Sequence, residues 1–415
     1  MRKLGSAYWR LWCANAVSYV GDGAMVSALP LFALTVTQDP RLISLVSAAV
    51  YAPWLLVSLP AGAIVDRHDR VTLMWRSQVV QCAVMCALTA LVVTHLAGIA
   101  VLVVGGLLLG AAEVLFSNAA QSVLPALVPA KDLEKANGTQ QIALTTGESF
   151  VGPPVGSALF GVAAALPFGL DALSFAGSAA LLASLPRSGA ASGSRTGTTS
   201  MRAQITEGLG WLARHRTLRV VAVLLGVVNF ASQMGQATMV LLATQVLHSG
   251  TAGFGLLWTV SAVGSVLGGV VNPAITRRIG LLPSLMISMA AFAGVYVGLG
   301  LSPDFGAAIA LMAFSGFAVT MWNIVTVSLR QRIVPAELLG RVNSAYRMIG
   351  WGPIPLGALA GGLVAHEIGL RAPYVIGGIL CAVTLAVSLP ALRGQDHSGP
   401  SRPDGTTVAT GRSAN

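Results

Sequence analysis

The chain alternates between long apolar segments and short charged connections over almost its whole length. The apolar segments run for about 18 to 25 residues with few charges, and each is long enough to cross roughly 30 Å of hydrocarbon as a helix. About twelve such spans are predicted, at 11–37, 42–65, 72–94, 98–120, 137–160, 164–186, 219–247, 252–275, 281–302, 306–329, 342–365 and 371–391. The pattern predicts an all-α polytopic membrane protein.

Composition and charge agree with this prediction. The 415 residues are 54% hydrophobic and only 10% charged, with a mean hydropathy of +0.74, which is far from the composition of a soluble domain. The net charge of +10 could indicate a nucleic-acid partner. With the N-terminus inside, however, every Lys and Arg except Arg41 and Arg371 falls on or near the cytoplasmic face. We therefore expect a cell-membrane protein with both termini cytoplasmic, the lipid bilayer as partner and no nucleic acid.

Two polar stretches interrupt the pattern of apolar spans, one between the two halves and one at the C-terminal end. Residues 187–218 begin as a Gly/Ser/Thr-rich linker and continue as an amphipathic helix that we expect at the cytoplasmic surface. They separate six spans in 1–186 from six spans in 219–392. Residues 393–415 are polar and rich in Gly, Pro and Ser, and a disordered cytoplasmic tail is predicted there.

The two halves carry an internal repeat. The segment VPAKDLEKANG (128–138) aligns without a gap on VPAELLGRVNS (334–344), and each copy links the fourth and fifth spans of its half. At the same offset Gly62 falls on Gly268, and Gly156 falls on Gly362. Two six-helix bundles related as parallel repeats are the plan of secondary transporters that open alternately to each side.

The connection between spans two and three reads Gly62-x-x-x-Asp66-Arg67-x-x-Arg70. It resembles the signature loop of the major facilitator superfamily (MFS). Together with SYVGDGAMVSALPLFALTVT in span one and IVPAELLGRVNSAYR before span eleven, it makes residues 8–392 similar to bacterial drug, macrolide and siderophore exporters. The resemblance implies the MFS fold of two pseudo-symmetric six-helix bundles. It also implies a gate in which Asp66 meets the N-terminus of span eleven near Asn343; a plain topology anchor is the alternative.

Span five resembles the superfamily's antiporter motif through Gly152, Pro153 and Gly156. The two glycines predict close packing between the halves, and Pro153 predicts a kink. The chain departs from the motif by carrying Glu148 and Ser157 at two positions where the family has glycine.

Three carboxylates fall deep inside predicted spans: Asp22, Glu113 and Glu148. A charge within the bilayer is costly and normally faces a wet cavity or a partner, so these residues are candidates for proton coupling and substrate binding. For Asp22 a structural role at a helix break is the alternative. Asp171 and Glu367 fall near the outer ends of their spans, where we expect them to be solvated.

The resemblance also implies that spans one, four, seven and ten line a central cavity. The polar and aromatic candidates there are Asn15, Asn229, Gln233, Trp322 and Asn323, and Arg347 in span eleven is a candidate to neutralise one carboxylate. Interhelical hydrogen bonding is an equal alternative for each Asn and Gln.

These features together predict a monomeric secondary active transporter. We expect proton-coupled efflux, by antiport, of a small hydrophobic or amphipathic compound, such as a drug, antibiotic or siderophore-like metabolite, and hence a role in drug resistance. The alternatives are an importer or lipid flippase on the same scaffold, and a non-transporting sensor or scaffold. No lysine follows a glycine as a P-loop requires, and no enzyme motif is present. We therefore expect no enzyme activity, no cofactor and no metal, with Cys82 and Cys86 as packing residues.

Overall fold

The computed structural model describes residues 4–129, 132–185, 201–335 and 338–393. All regular secondary structure in these residues is helical. The first half contains α1 (Ser6–Val36), α2 (Pro40–Leu56), α3 (Ser58–Arg67), α4 (Arg70–Val93), α5 (Ile99–Leu127), α6 (Leu133–Leu144), α7 (Gly152–Val162) and α8 (Leu166–Ala183). The second half contains α9 (Met201–Arg214), α10 (Arg216–Gln236), α11 (Met239–Leu241), α12 (Thr251–Ile279), α13 (Leu281–Leu301), α14 (Phe305–Ile333), α15 (Leu339–Trp351), α16 (Pro353–Glu367) and α17 (Ala372–Arg393). Two π-helical turns occupy Thr145–Val151 and Leu242–Val246.

The helices account for the predicted spans. Within the described residues, 10 helices are long and apolar enough to cross a membrane. The two other predicted spans, 42–65 and 137–160, each consist of two consecutive helices. In the first, α2 continues into α3; in the second, α6 continues through a π turn into α7. The chain is a multi-span membrane protein, and the predicted all-α polytopic fold is confirmed. Residues 187–200 of the predicted linker and 394–415 of the predicted tail lie outside the described residues, while α9 covers the predicted amphipathic helix and packs against α15.

The joint in span five follows from its two prolines. Pro153 and Pro154 have no backbone N–H, so they cannot bond the carbonyls one turn earlier. The preceding backbone widens into the π turn, in which the Gly152 N–H donates to the Gly147 carbonyl five residues back. The kink predicted at Pro153 is therefore spread over the turn before it, and this turn holds Glu148.

Three aspartates outside the spans have a structural role at helix N-termini. Asp39, Asp69 and Asp304 accept hydrogen bonds from first-turn backbone N–H groups of α2, α4 and α14. The Arg41 guanidinium, whose Nη2 lies 3.0 Å from an Asp39 carboxylate oxygen, holds the pKa of Asp39 below its usual value. These carboxylates stabilise helix ends and leave the acids within the spans as the functional candidates.

The glycines of the span-five motif pack within the first half, which corrects the prediction that they join the two halves. A methyl group at Gly152 would overlap the backbone of Gly23, and one at Gly156 would overlap the carbonyl of Ala24, both on α1. Ser157 instead lies against Gly255 of α12 in the second half. Successive residues of a helix point about 100° apart. Gly156 and Ser157 are adjacent in sequence and therefore face different neighbouring helices. The family's glycine pair thus fixes α7 to α1, and Ser157 meets the other half.

The second half repeats this packing. Gly357 and Gly361 on α16 lie against the carbonyls of Phe230 and Met234 on α10, as Gly152 and Gly156 lie against α1. The next residue, Gly362, contacts α2 of the first half. Each half therefore presents one small residue, Ser157 or Gly362, to its partner. The packing pairs Gly156 with Gly361, one residue away from the Gly362 that the sequence repeat predicts.

The halves meet at three places along α2 and its partners. Gly362 contacts Ser44, and His366 at the end of α16 lies 3.6 Å from an Asp39 carboxylate oxygen. Further along α2, the rings of Trp54 and Trp351 have centroids 4.6 Å apart. Small residues and the contact between His366 and Asp39 thus hold the ends of α2 and α16 together.

Candidate functional site: an acidic cavity between the halves

A cavity of about 750 Å³ lies between the two halves. Its walls come from α1, α2, α4, α5, α6, α8 and the first π turn on one side, and from α10, α12 and α15 on the other. A volume of this size accommodates a drug-sized molecule.

The three carboxylates predicted from sequence line this cavity. Asp22 projects from α1, Glu113 from α5 and Glu148 from the π turn, and each is partly exposed. The Ser18 hydroxyl donates to Asp22 at 3.1 Å, and the Gln81 amide donates to Glu113 at 3.2 Å. Three separate helical segments therefore direct acids into one space.

A fourth carboxylate, Asp171 on α8, lines the same cavity, contrary to the expectation that it is solvated at the outer end of its span. The residue is 2% exposed and accepts a hydrogen bond of 3.0 Å from the Ser174 hydroxyl. Because α8 begins at Leu166, Asp171 lies more than one turn inside the helix, where α8 faces α1. The Glu367 side chain, by contrast, is 70% exposed.

The cavity is acidic. Four carboxylates line it, and no described lining residue is Lys, Arg or His. Negative charges that lack a nearby cation are costly where the dielectric constant is low, and a proton or a bound cation removes that cost. The arrangement therefore favours the binding of protons and organic cations and disfavours anions.

The rest of the lining is aromatic or neutral. The aromatic side chains are Tyr19, Tyr51, Trp54, Phe116, Phe175, Phe254, Trp258 and Trp351. All four acids belong to the first half, whereas the second half contributes Gln233, Gln236, Phe254, Trp258 and Trp351. Aromatic faces bind apolar surface and attract cations, so the acids of the first half suit the charge of an amphipathic cation and the aromatic side chains of both halves suit its apolar body.

The remaining polar candidates divide between the cavity and the helix packing. Gln233 lines the cavity. The Asn15 amide donates to Gln140 at 3.0 Å, and the Asn229 amide donates to the Gly350 carbonyl at 2.7 Å. Both asparagines thus make the interhelical bonds that were the alternative interpretation.

Span ten lies outside the lining, contrary to the expectation that Trp322 and Asn323 face the cavity. Trp322 is 3% exposed and packs beside Phe292 and Val228 in the core of the second half, whereas Asn323 is exposed. The central walls of the second half come instead from α10, α12 and α15. The side chain of Arg347 lies outside the described residues.

The predicted gating loop spans the junction of α3 and α4. Gly62 and Arg67 belong to α3, and Arg67 is exposed. Arg70 begins α4 and donates from Nη1 to the Ser122 carbonyl on α5 at 3.0 Å, a bond within the first half. The side chains of Asp66 and Asn343 lie outside the described residues, so the gate between them stays a prediction.

Comparison with known proteins identifies the family. The sequence profile of an MFS family described as "Transmembrane secretion effector" matches residues 5–403. The chain belongs to the major facilitator superfamily. This MFS transporter is 22% identical to macrolide efflux protein A of Streptococcus pyogenes over 394 residues, which covers 93% of the chain and 95% of that relative. It is 26% identical over 391 residues to the uncharacterized MFS-type transporter YfiS of Bacillus subtilis (strain 168), with 91% of each chain covered.

Solved structures share the fold. The nucleoside transporter NupG aligns with a TM-score of 0.73 at 13% identity, covering 94% of this chain and 100% of that one. A bacterial homologue of the iron transporter ferroportin, in an inward-facing state, aligns with a TM-score of 0.75 at 15% identity, covering 94% and 100%. The predicted MFS fold and the expectation of a transporter rather than an enzyme are confirmed, while the cargoes of these neighbours differ.

Sequence reasoning missed several cavity residues. Asp171 had a usable signal, since it is an acid inside a predicted span. Gln81 lies in the middle of span three, which the resemblance did not include among the lining spans. For Trp54, Trp258 and Trp351 the sequence offers no signal, because an aromatic residue in a span faces lipid, core or cavity with the same local pattern.

Proposed function

We propose that this MFS transporter exports a small, cationic, amphipathic compound in exchange for protons. The observation that carries the proposal is the cavity itself, in which four carboxylates face aromatic side chains and no described lining residue is basic. The relative named macrolide efflux protein A supports the outward direction. Negative lining favours a cationic drug over an anionic, siderophore-like metabolite.

The exchange follows from charge balance. With the cavity empty, protons relieve the repulsion among the carboxylates. An arriving organic cation does the same, so the cation and the proton compete through the total negative charge of the cavity. Proton binding from one side then favours release of the cation, and cation binding from the other favours release of the proton. Rocking of the two halves exposes the acids to each side in turn.

The decisive experiment measures uptake of ethidium, a fluorescent organic cation, into inverted membrane vesicles containing the transporter. We expect accumulation that requires an imposed proton gradient and stops when a protonophore is added. Carboxyfluorescein, an anionic dye, is the matched control and should not accumulate. Ethidium uptake that ignores the gradient would contradict proton coupling, and uptake by right-side-out vesicles alone would indicate an importer.

We further propose that the protein is a monomer in the cytoplasmic membrane, with both termini in the cytoplasm. Arg67→Cys, at the end of α3, and Arg277→Cys, near the end of α12, should then react with a membrane-impermeant maleimide in inverted vesicles and be protected in intact cells. These substitutions require a background in which Cys13, Cys82, Cys86 and Cys381 are replaced.

The control for topology is Leu96→Cys, which lies in the exposed connection between α4 and α5 and should show the opposite labelling. Labelling of Arg67→Cys and Arg277→Cys from opposite sides would contradict the orientation and the parallel repeat together.

A further inference from the structure

Asp171 contacts α1 directly beside Asp22. Its Oδ1 atom lies so close to Gly21 that a methyl group on Gly21 would overlap it. The same oxygen accepts the hydrogen bond from Ser174, on the next turn of α8. A side chain at Gly21 would therefore displace the carboxylate, and the glycine keeps the acid within reach of α1.

Asp22, the next residue along α1, has an equivalent setting. It accepts a single hydrogen bond from Ser18 on its own helix, as Asp171 does from Ser174. Both carboxylates line the cavity, and the Asp171 Oδ1 atom lies against Gly21, the residue that precedes Asp22 on α1. The two carboxylates thus form an acid pair (Asp22 and Asp171) at the contact between α1 and α8.

Among the residues that the structure describes, those that line the cavity with the acid pair supply no positive charge. They include Glu113 on α5, Glu148 on the π turn, Gln81 on α4 and Tyr19 on α1. The Gln81 side chain is 2% exposed, and its Oε1 atom has no hydrogen-bond partner. A buried amide oxygen without a donor is costly, and a protonated acid or a bound ammonium group supplies that donor.

We propose that Asp22 and Asp171 share a proton, and that Asp171, together with Asp22, is the site from which the arriving cation displaces it. This rests on the proposed proton-coupled function and assigns the proton within it. One proton between two adjacent carboxylates removes one negative charge and supplies one hydrogen-bond donor. When the cation binds, that proton leaves through the open side of the cavity and the pair carries both negative charges.

The proposal separates two roles among the four acids. Asp171 is 2% exposed and is held by Ser174 and Gly21, so it reaches a bound molecule less readily than the partly exposed Glu113 does. Glu113 therefore provides the counter-charge for the cation, and the acid pair provides the proton. Loss of the pair should uncouple transport, whereas loss of Glu113 should weaken cation binding.

Infrared difference spectroscopy tests the pair without any substrate. Spectra of the full-length transporter in proteoliposomes are recorded as a function of pH, in the region where protonated carboxyl groups absorb, for wild type, Asp22→Asn and Asp171→Asn. Asn keeps the acceptor oxygen for Ser174, so folding should be retained. We expect Asp171→Asn to remove one acid signal and also to move the titration midpoint of Asp22 by at least about one pH unit.

The reciprocal variant and a control make the result decisive. Asp22→Asn should move the Asp171 signal in the same way, and it provides the test if Asp171→Asn does not fold. Asp304→Asn, at the exposed cap of α14, should change neither signal. If each variant removes only its own signal and leaves the other midpoint unchanged, the two acids do not share a proton and the proposal is overturned.

Transport distinguishes this inference from the proposed function. In the same proteoliposomes, Asp171→Asn should lose gradient-driven ethidium uptake by at least about tenfold, a larger loss than that of ethidium counterflow, which needs no gradient. Gradient-driven uptake that survives in Asp171→Asn would overturn the role of the pair alone. Wild type without gradient-driven uptake would instead contradict the proposed function, whatever the infrared spectra give.

Discussion

Replacing Gly156 by alanine is expected to push α7 away from α1 and to destabilise the transporter by about 3 kcal/mol. The added methyl group would overlap the Ala24 carbonyl oxygen and approach the Ser27 hydroxyl. A backbone carbonyl within a helix cannot rotate away as a side chain can, so the two helices must separate and lose contacts along their length. Thermal unfolding of the detergent-solubilised protein, followed by size-exclusion chromatography, measures the effect.

Gly161→Ala is the matched control for this prediction. Gly161 lies on the same helix, and the nearest atom to an added methyl group there is the Thr251 hydroxyl oxygen at 3.8 Å. Alanine at that position should leave the unfolding temperature unchanged or raise it, because alanine is the better helix former. Equal stability of the two variants would show that α1 and α7 are not in backbone contact.

Replacing Glu113 by glutamine is expected to lower both ethidium counterflow and gradient-driven uptake by at least about tenfold. Glutamine keeps the shape and the hydrogen bond with Gln81 but removes the counter-charge that an organic cation meets in the cavity. Folding should be retained, since the substitution removes an uncompensated charge from a low-dielectric site. Uptake and counterflow in proteoliposomes measure the loss.

Glu367→Gln is the control for Glu113→Gln. Its side chain is 70% exposed at the end of α16, so transport should match that of wild type. If Glu113→Gln transported ethidium as wild type does, Glu113 would not be the counter-charge, and the assignment of roles among the acids would fail.

The architecture was predictable from sequence because the bilayer imposes it. A span must satisfy its backbone hydrogen bonds internally and must be apolar over a fixed length, so the segments of a polytopic protein are visible in the hydrophobic pattern. The repeat around residues 128–138 and 334–344 then indicated two similar halves. The π turn that holds Glu148 was visible only as a kink at Pro153, since proline marks the interruption without fixing its form.

The acidic character of the site was predictable from sequence, but the full set of side chains that line the cavity was not. Acids within spans are costly, so Asp22, Glu113 and Glu148 could be assigned to a cavity from sequence alone. Asp171 was assigned to solvent because it lies near one end of its span, and the sequence does not show that α8 packs against α1 at that depth. Trp322 was assigned to the cavity because the resemblance identifies a span, whereas rotation of the helix decides which side chains face inward.

The packing of Gly156 could not be derived from sequence for the same reason. Small residues four positions apart indicate a close helix contact but do not identify the partner. The partner is α1 of the same half, and Ser157, where the chain departs from the family motif, is the residue that meets the other half.

The most direct test of exchange between cation and proton is the release of protons when ethidium binds to the purified transporter in weakly buffered detergent solution. Displacement of a proton from the cavity by the positive charge of the cation predicts the release of about one proton for each ethidium bound, and weaker ethidium binding as the pH is lowered. Ethidium binding without proton release, and with an affinity independent of pH, would contradict it.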